Sequence, residues 1–278
     1  MEQRVRVLID CTDAKGLVYK ISKVFYDRDL NIENNKEFVD KEQCKFFMRT
    51  VVTGVFDIEE LREALIEVIP TDANLEVIAP RRKKIVILAT KESHALGDIL
   101  VRYEAGELDA DIEAVIANHD TLASLVRRFD IPFVQVSAEG MSRKEHEGLM
   151  MEQINRYDFD LIVLAKYMRI LTPMFVSAYP KKIVNIHHSF LPAFIGANPY
   201  KQAHERGVKI IGATAHFVTN DLDEGPIIAQ DVIPVNHRFE WRDMQRAGRD
   251  VEKIVLSRAL NLVLNDRVFV HGNKTIIF

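Results

Sequence analysis

Three kinds of polar side chain at two strand ends could carry chemistry in this chain. The stretch Ile183 to Leu191 reads IVNIHHSFL, a short β-branched run that abruptly presents Asn185, His187 and His188. The stretch Ala215 to Pro226, AHFVTNDLDEGP, starts as a strand and ends in a turn-rich loop holding Asp221, Asp223, Glu224 and Gly225. An amide, an imidazole and a carboxylate are the parts of a small acyl-transfer site. Nucleophilic addition to a formyl or acyl carbonyl makes a tetrahedral oxyanion. It needs a donor aimed at that oxygen and a group that moves protons between nucleophile and leaving nitrogen. Asn185 offers the donor. His187, two residues along the same strand end, projects to the same side. Asp223 can hold the imidazole's tautomer, favour its charged form, or position a water.

Other chemistries fit less well. Ser189 has no nucleophile elbow around it and does not sit in a sharp Gly-flanked turn. His187, His188, His204 and His216 lack metal-ligand spacing such as HExxH, so no metal is expected. His188 is expected to shape the entrance or to pack, and His216, which precedes the Asp loop on a neighbouring strand, to give structural support or take a catalytic role.

The elements that must position these residues fall into two patterns. At 278 residues, with 47% hydrophobic and 28% charged content, the chain has the composition of a soluble globular protein of one large domain or two ordinary ones. A net charge of −4 argues against an extended nucleic-acid surface. No apolar run is long enough to span a bilayer. The opening MEQRVRVLID enters a strand pattern with no signal-peptide layout. Two cysteines, Cys11 and Cys44, favour buried small hydrophobes over a disulfide framework, and a cytoplasmic location is expected.

Residues 3–9 alternate as a half-buried strand, and helical spacing follows at Leu17, Ile21, Val24 and Phe25. Asp13 is expected to cap that helix, and Gly16 to let its start pack closely. Residues 31–38 and 45–53 read as strands, 57–69 as an amphipathic helix and 75–79 as a last strand. The order βαββαβ over residues 1–80 is the split βαβ layout of a ferredoxin-like α+β domain. With its Asp13–Gly16 turn it resembles the ACT family of amino-acid-binding regulatory modules. PRRKK at 80–84 is the expected connector. Beyond it, apolar runs at 85–89, 114–117, 133–136, 161–165 and 183–186 alternate with helical segments. That alternation predicts a doubly wound, mostly parallel, Rossmann-like sheet over 84–278. Strands at 210–217 and 227–235, joined by a loop, predict a later antiparallel portion, and a closing helix is expected over 250–265. Ligands of such sheets sit outside the carboxyl ends of the strands, where residues 166–171, Asn185–His187 and the Asp223 loop all fall. The first strand leads into ATKESHALGD, which lacks the Gly-rich turn of a nucleotide or sugar-phosphate site.

NIHHSFLP at 185–192 together with HFVTNDLDEGP at 216–226 resembles the folate-dependent formyltransferase family, whose core is an Asn-x-His motif followed by the Asp of an LDxGP loop. LAKYMRIL at 164–171 is similar to the segment whose backbone lines the pterin pocket in that family. The resemblance covers essentially residues 84–278. It implies Asn185, His187 and Asp223 as the catalytic trio, and Met168, Arg169, Leu171 and Asp221 as residues bordering the folate. Within the family, the missing phosphate loop, the ACT-like module and the stretch HHSFLPAFIGANPY imply water as the formyl acceptor. The expected reaction is hydrolysis of 10-formyltetrahydrofolate to formate and tetrahydrofolate, feeding one-carbon and purine metabolism. His187 and Asp223 would activate the water and Asn185 would stabilise the oxyanion, with no cofactor. Lys166 and Tyr167, in place of a smaller apolar pair, are expected to narrow the side of a second substrate. Two other functions stay open: formyl transfer to an amine acceptor, and a non-catalytic ACT-type amino-acid sensor. The resemblance also implies a homo-oligomer and a small amino-acid effector such as methionine or glycine near Asp13 and Gly16.

Overall fold

The structure is a computed structural model that describes residues 2–193 and 199–278. Residues 194–198 of the HHSFLPAFIGANPY stretch lie outside the described residues. By its internal contacts the chain divides into two units. One comprises Met1–Arg81, Asp266–Phe269 and Ile276–Phe278, and the other Arg82–Asn265 and Val270–Thr275. Residues 266–269 and 276–278, read from the sequence as part of the second domain, therefore group with the first unit.

In the first unit the elements are β1 (Gln3–Thr12), α1 (Leu17–Tyr26), β2 (Asn31–Asp40), β3 (Lys45–Gly54), α2 (Ile58–Ile66) and β4 (Asn74–Ile78). The strands form one sheet in the order β2-β3-β1-β4, and each neighbouring pair is antiparallel. Alternation in β1 sends Val5, Val7, Ile9 and Cys11 inward, against Leu17, Ile21 and Phe25 of α1 and Leu61 and Leu65 of α2. Asp57 caps α2, its side chain accepting from the backbone N–H groups of Glu59 and Glu60. Asp13 does not cap α1. The position before that helix is Gly16, with φ 87° and no side-chain cap, while the Asp13 N–H donates to Cys44 O at 2.8 Å. Nor is Gly16 there for close packing, because a β-carbon on it would meet nothing within 4 Å. Its left-handed backbone is what the turn requires.

The second unit begins with β5 (Lys83–Ala89), α3 (His94–Glu104), β6 (Ala110–Ala117), α4 (Ala123–Arg127), β7 (Phe133–Gln135) and α5 (Arg143–Ile154). It continues with β8 (Leu161–Ala165), α6 (Pro173–Ala178), β9 (Ile183–His187), α7 (Pro199–Arg206), β10 (Ile210–Phe217) and β11 (Ile227–Pro234). Next is α8 (Trp241–Leu264); the short strands β12 (Val268–His271) and β13 (Lys274–Ile277) follow it in the chain, their residues divided between the two units. The main sheet runs β11-β10-β9-β8-β5-β6-β7. Its β9-β8-β5-β6-β7 portion is parallel, and β10 and β11 are antiparallel additions. Strand order reverses between β5 and β8, so the crevice beyond their carboxyl ends is the natural ligand position.

Two features here differ from expectation. α8 starts at Trp241 rather than Asp250, opened by a capping box between Glu240 and Asp243. Its first half is highly charged and carries Gly248, which hides the helical period. The β12–β13 hairpin, turning at Gly272 with φ 58°, was not read from the sequence. Among the described residues no helix is long and apolar enough to cross a membrane.

Candidate active site

The site is built at the ends of β8, β9 and β10. In β9, Ile183, Val184 and Ile186 are buried, which fixes the register and leaves Asn185 and His187 on one side. Antiparallel pairing sets His216 of β10 opposite Asn185, and Thr214 opposite His187. One nitrogen of His216, Nδ1, lies 2.9 Å from its neighbour's carbonyl, Phe217 O, to which it donates. The other, Nε2, is then an acceptor and receives an amide N–H of Asn185 at 3.2 Å. His216 is thus the rest that orients the Asn185 amide, and the second N–H of Asn185 has no partner among the described residues. Burial holds the His216 imidazole below its ordinary pKa, in keeping with a neutral ring.

Asp223 is brought in by the loop between β10 and β11. The loop turns through a left-handed Asp223, φ 58°. It closes through Gly225, where a β-carbon would stand 1.8 Å from Phe217 O. The Asp223 carboxylate lies 3.3 Å from His187 Nδ1 and 3.9 Å from His216 Nε2. Burial alone would raise its pKa, but the hydrogen bond from His187 and the nearby imidazoles outweigh burial and hold it below the ordinary range. With Nδ1–H of His187 donated to Asp223, the Nε2 lone pair is free, and this buried atom has no hydrogen-bond partner among the described residues. The ring of His188 is 5.1 Å from that of His187. Burial first, and then the Lys166 charge, bring the His188 pKa down to about 3, which keeps it neutral.

A cavity of about 300 Å³ opens on these groups. Asn185, His187, His216 and Asp223 line it, as do Met168, Arg169 and Leu171 from the segment after β8 and Asp221 from the loop after β10. The post-β8 segment is pinned at three points. Lys166 adopts φ 59°, Met168 N–H donates to Thr90 Oγ1 at 3.0 Å, and Thr172 donates through both N–H and hydroxyl to the buried Glu147. The exposed apolar side chains of Met168, Ile170 and Leu222 give the cavity a wall that a flat heteroaromatic ring can cover. Asp13 and Gly16 belong to the other unit. Near them, Asp72 accepts from Thr12 N at 3.0 Å and from Thr12 Oγ1 at 2.7 Å, a carboxylate that sequence reading passed over. Among the described residues no group of three or more His, Cys, Asp or Glu side chains is arranged to hold a metal ion.

Sequence reading also missed a buried charged cluster. Glu252 of α8, 1% exposed, receives His94 Nε2 at 2.8 Å and the Tyr200 hydroxyl at 2.7 Å. It also faces Lys166 Nζ at 3.3 Å. These residues come from α3, the end of β8, α7 and α8, so no motif links them. The one sequence signal was the odd lysine in LAKYMRIL.

The family model described as formyl transferase matches residues 83–260, and the ACT domain model matches residues 5–70. Formyltetrahydrofolate deformylase of Haemophilus influenzae is 56% identical over 277 residues, covering 100% of both chains. The enzyme of that name from Bacillus subtilis is 45% identical over 287 residues, 100% of this chain and 94% of its own. The crystal structure of a formyltetrahydrofolate deformylase from Pseudomonas syringae pv. tomato superposes with a TM-score of 0.95 at 41% identity, over 100% of this chain and 95% of that one. A glycinamide ribonucleotide transformylase from Symbiobacterium toebii reaches a TM-score of 0.68 at 32% identity, covering 70% of this chain and 94% of its own.

Proposed function

The chain belongs to the formyl transferase family and carries an ACT domain before that fold, and we propose that it is a hydrolase that cleaves 10-formyltetrahydrofolate to formate and tetrahydrofolate. The observation that carries the reading is coverage. Relatives named formyltetrahydrofolate deformylase match the whole chain, ACT portion included, whereas the transformylase shares 70% of it.

In the proposed reaction the folate lies along the Met168–Leu171 wall with its formyl group over Asn185 and His187. Water adds to the formyl carbon as His187 Nε2 takes its proton, with Asp223 holding the ring through Nδ1. The second N–H of Asn185, the one not used on His216, donates to the oxyanion. Collapse breaks the carbon–nitrogen bond, and the proton held by His187 passes to the departing nitrogen. Atoms balance without a metal or redox cofactor. The products would feed one-carbon and purine metabolism.

The ACT domain is assigned a small amino-acid effector, methionine or glycine, at the Asp13–Gly16 turn. A Gly16→Asp variant that still responds normally to every amino acid would remove that assignment. A homo-oligomer is part of the same reading, supported by β2, an edge strand exposed along most of its length.

Formate release from 10-formyltetrahydrofolate by the purified protein, with a chelator and no amine added, tests the central claim. Steady turnover is expected. Folate binding without turnover would move the reading to an amine acceptor or a required effector. Absence of both would sink it.

A further inference from the structure

A second cavity, of about 310 Å³, shares Lys166, Met168 and His188 with the first. Its other walls come from α7, α8 and the segment after β5, notably Tyr200, Trp241, Arg249 and Glu92. Every charge lining it already has an opposite partner. Lys166 faces Glu252 at 3.3 Å, Arg249 meets Glu92 at 3.2 Å, and Lys201 stands 3.9 Å from Glu205. The cations lining it thus face carboxylates, while the buried Nε of Arg249 has no hydrogen-bond partner among the described residues.

Lys166 is the unusual member. It stands at the junction of the two cavities, only 4% exposed, on a backbone with φ 59° that residues bearing a β-carbon rarely adopt. Stability alone does not account for a buried lysine, since a buried ion pair is often no better than an apolar pair of similar volume. The surroundings are nevertheless arranged to hold it. Glu252 accepts hydrogen bonds from His94 and Tyr200 and pairs with the Lys166 ammonium at 3.3 Å. Tyr200 reaches it because α8 has no side chain at Gly248, where a β-carbon would lie 2.1 Å from the tyrosine hydroxyl. Burial would raise the Glu252 pKa, but these donors and the Lys166 charge bring it down to about 2, so the carboxylate stays ionised.

Resting on the hydrolytic reading above, we propose that Lys166, held in place by Glu252, is the residue that makes water the formyl acceptor. Its side chain fills the junction through which an amine in the second cavity would approach the formyl carbon. Water passes because it is small. Glu252 is a positioning residue in this scheme, acting only through Lys166. Without the plug, a neutral amine would add to the formyl carbon, the bond to the folate nitrogen would break, the amine would lose a proton and the folate nitrogen would gain one.

The test is the partition of the formyl group between water and an added neutral primary amine, glycinamide, with both products quantified by mass spectrometry. Wild type is expected to give formate with only a trace of formylglycinamide. Lys166→Gly suits the left-handed backbone and opens the junction. It should raise the ratio of formylglycinamide to formate by about tenfold or more, the scale of discrimination that a pocket of altered shape provides. Lys166→Met, which keeps the bulk, should stay near wild type. Because Lys166→Gly leaves Glu252 buried without its cation, the double variant Lys166→Gly/Glu252→Gln is run beside it and should show the same rise. An unchanged ratio in both folded glycine variants overturns the proposal. So does loss of all turnover with folate still bound, which would place Lys166 in the chemistry itself. If wild type releases no formate, the hydrolytic reading falls and takes this inference with it. Formate from wild type with an unmoved ratio in the variants removes only the inference.

Discussion

At the scale of single residues, two protons define the site. One sits on His187 Nδ1 and faces Asp223 at 3.3 Å, and the other sits on the Asn185 amide and faces His216 Nε2 at 3.2 Å. Each fixes which atom is left for the substrate: a lone pair on His187 Nε2 and a spare N–H on Asn185. Asp223→Asn would disturb the first arrangement with little change of shape, and His187→Ala would abolish it. Each is expected to lower kcat by about two to four decades with folate binding retained, the range for a lost acid–base or oxyanion group. Steady-state kinetics beside a folate-binding titration would check this, and near-normal turnover in either variant would reject the assignment. That Asn185, His187 and Asp223 would meet in one place was legible in the sequence, because their types and order match one chemistry. A supporting role for His216 was expected, but that it supports Asn185 was not, since this depends on strand register: β10 pairs antiparallel with β9, and that alone brings residue 216 opposite residue 185. Glu252 was less legible still. Its partners His94, Lys166 and Tyr200 lie on separate elements, and a glutamate in a charged helix carries no mark of burial.

At the scale of elements, two glycines set how closely segments approach, and each gives a variant whose direction is decided by distance. Gly225→Ala would place a β-carbon 1.8 Å from Phe217 O, so the loop must shift and carry Asp223 with it. A displacement of roughly 1 Å can cost about a hundredfold in rate. That loss in kcat, with the bulk of the fold unchanged by circular dichroism, is expected. Wild-type kcat would mean that the loop absorbs the methyl without moving the carboxylate. Gly248→Ala sits inside a helix, where propensity alone predicts a gain of roughly 1 kcal/mol. The overlap with the Tyr200 hydroxyl at 2.1 Å reverses the sign. A loss of about 1–3 kcal/mol, typical of overpacking, is expected in denaturant melts. A stabilised variant would show that α7 and α8 can separate freely. These same positions explain what pattern reading missed. Gly248 and its charged neighbours broke the apolar period of α8, so only its second half was legible. The runs of β5, β6, β8 and β9 were legible because strands buried on both faces are continuously apolar. Gly16 was picked out for the wrong reason: its left-handed φ, not close packing, makes the residue fit.

At the scale of the whole chain, the order βαββαβ and then alternating strands and helices was enough to read an ACT-like unit followed by a doubly wound one. The part not legible was the return of the last residues to the first unit. Pairing between residues 260 positions apart leaves no periodic trace. Asp266 carries that return. Its carboxylate pairs with Arg6 of β1, with side chains 11% and 7% exposed, and its carbonyl accepts Arg49 Nε of β3 at 2.9 Å. Phe269 follows, edge-on to Phe47 at 5.8 Å. Asp266 also has a left-handed φ of 52°, which asparagine tolerates nearly as well as aspartate. Asp266→Asn therefore keeps the backbone and the carbonyl contact while leaving the Arg6 guanidinium without its counter-charge. Breaking one side of a buried pair costs about 3 kcal/mol or more. The expected result is a lower melting transition for the first unit, with faster amide exchange in β1 and β3. Since Asn185, His187 and Asp223 lie in the other unit, formate release below that transition should stay close to wild type. Unchanged exchange in β1 and β3 would show that the tail packs on the first unit through its phenylalanines alone.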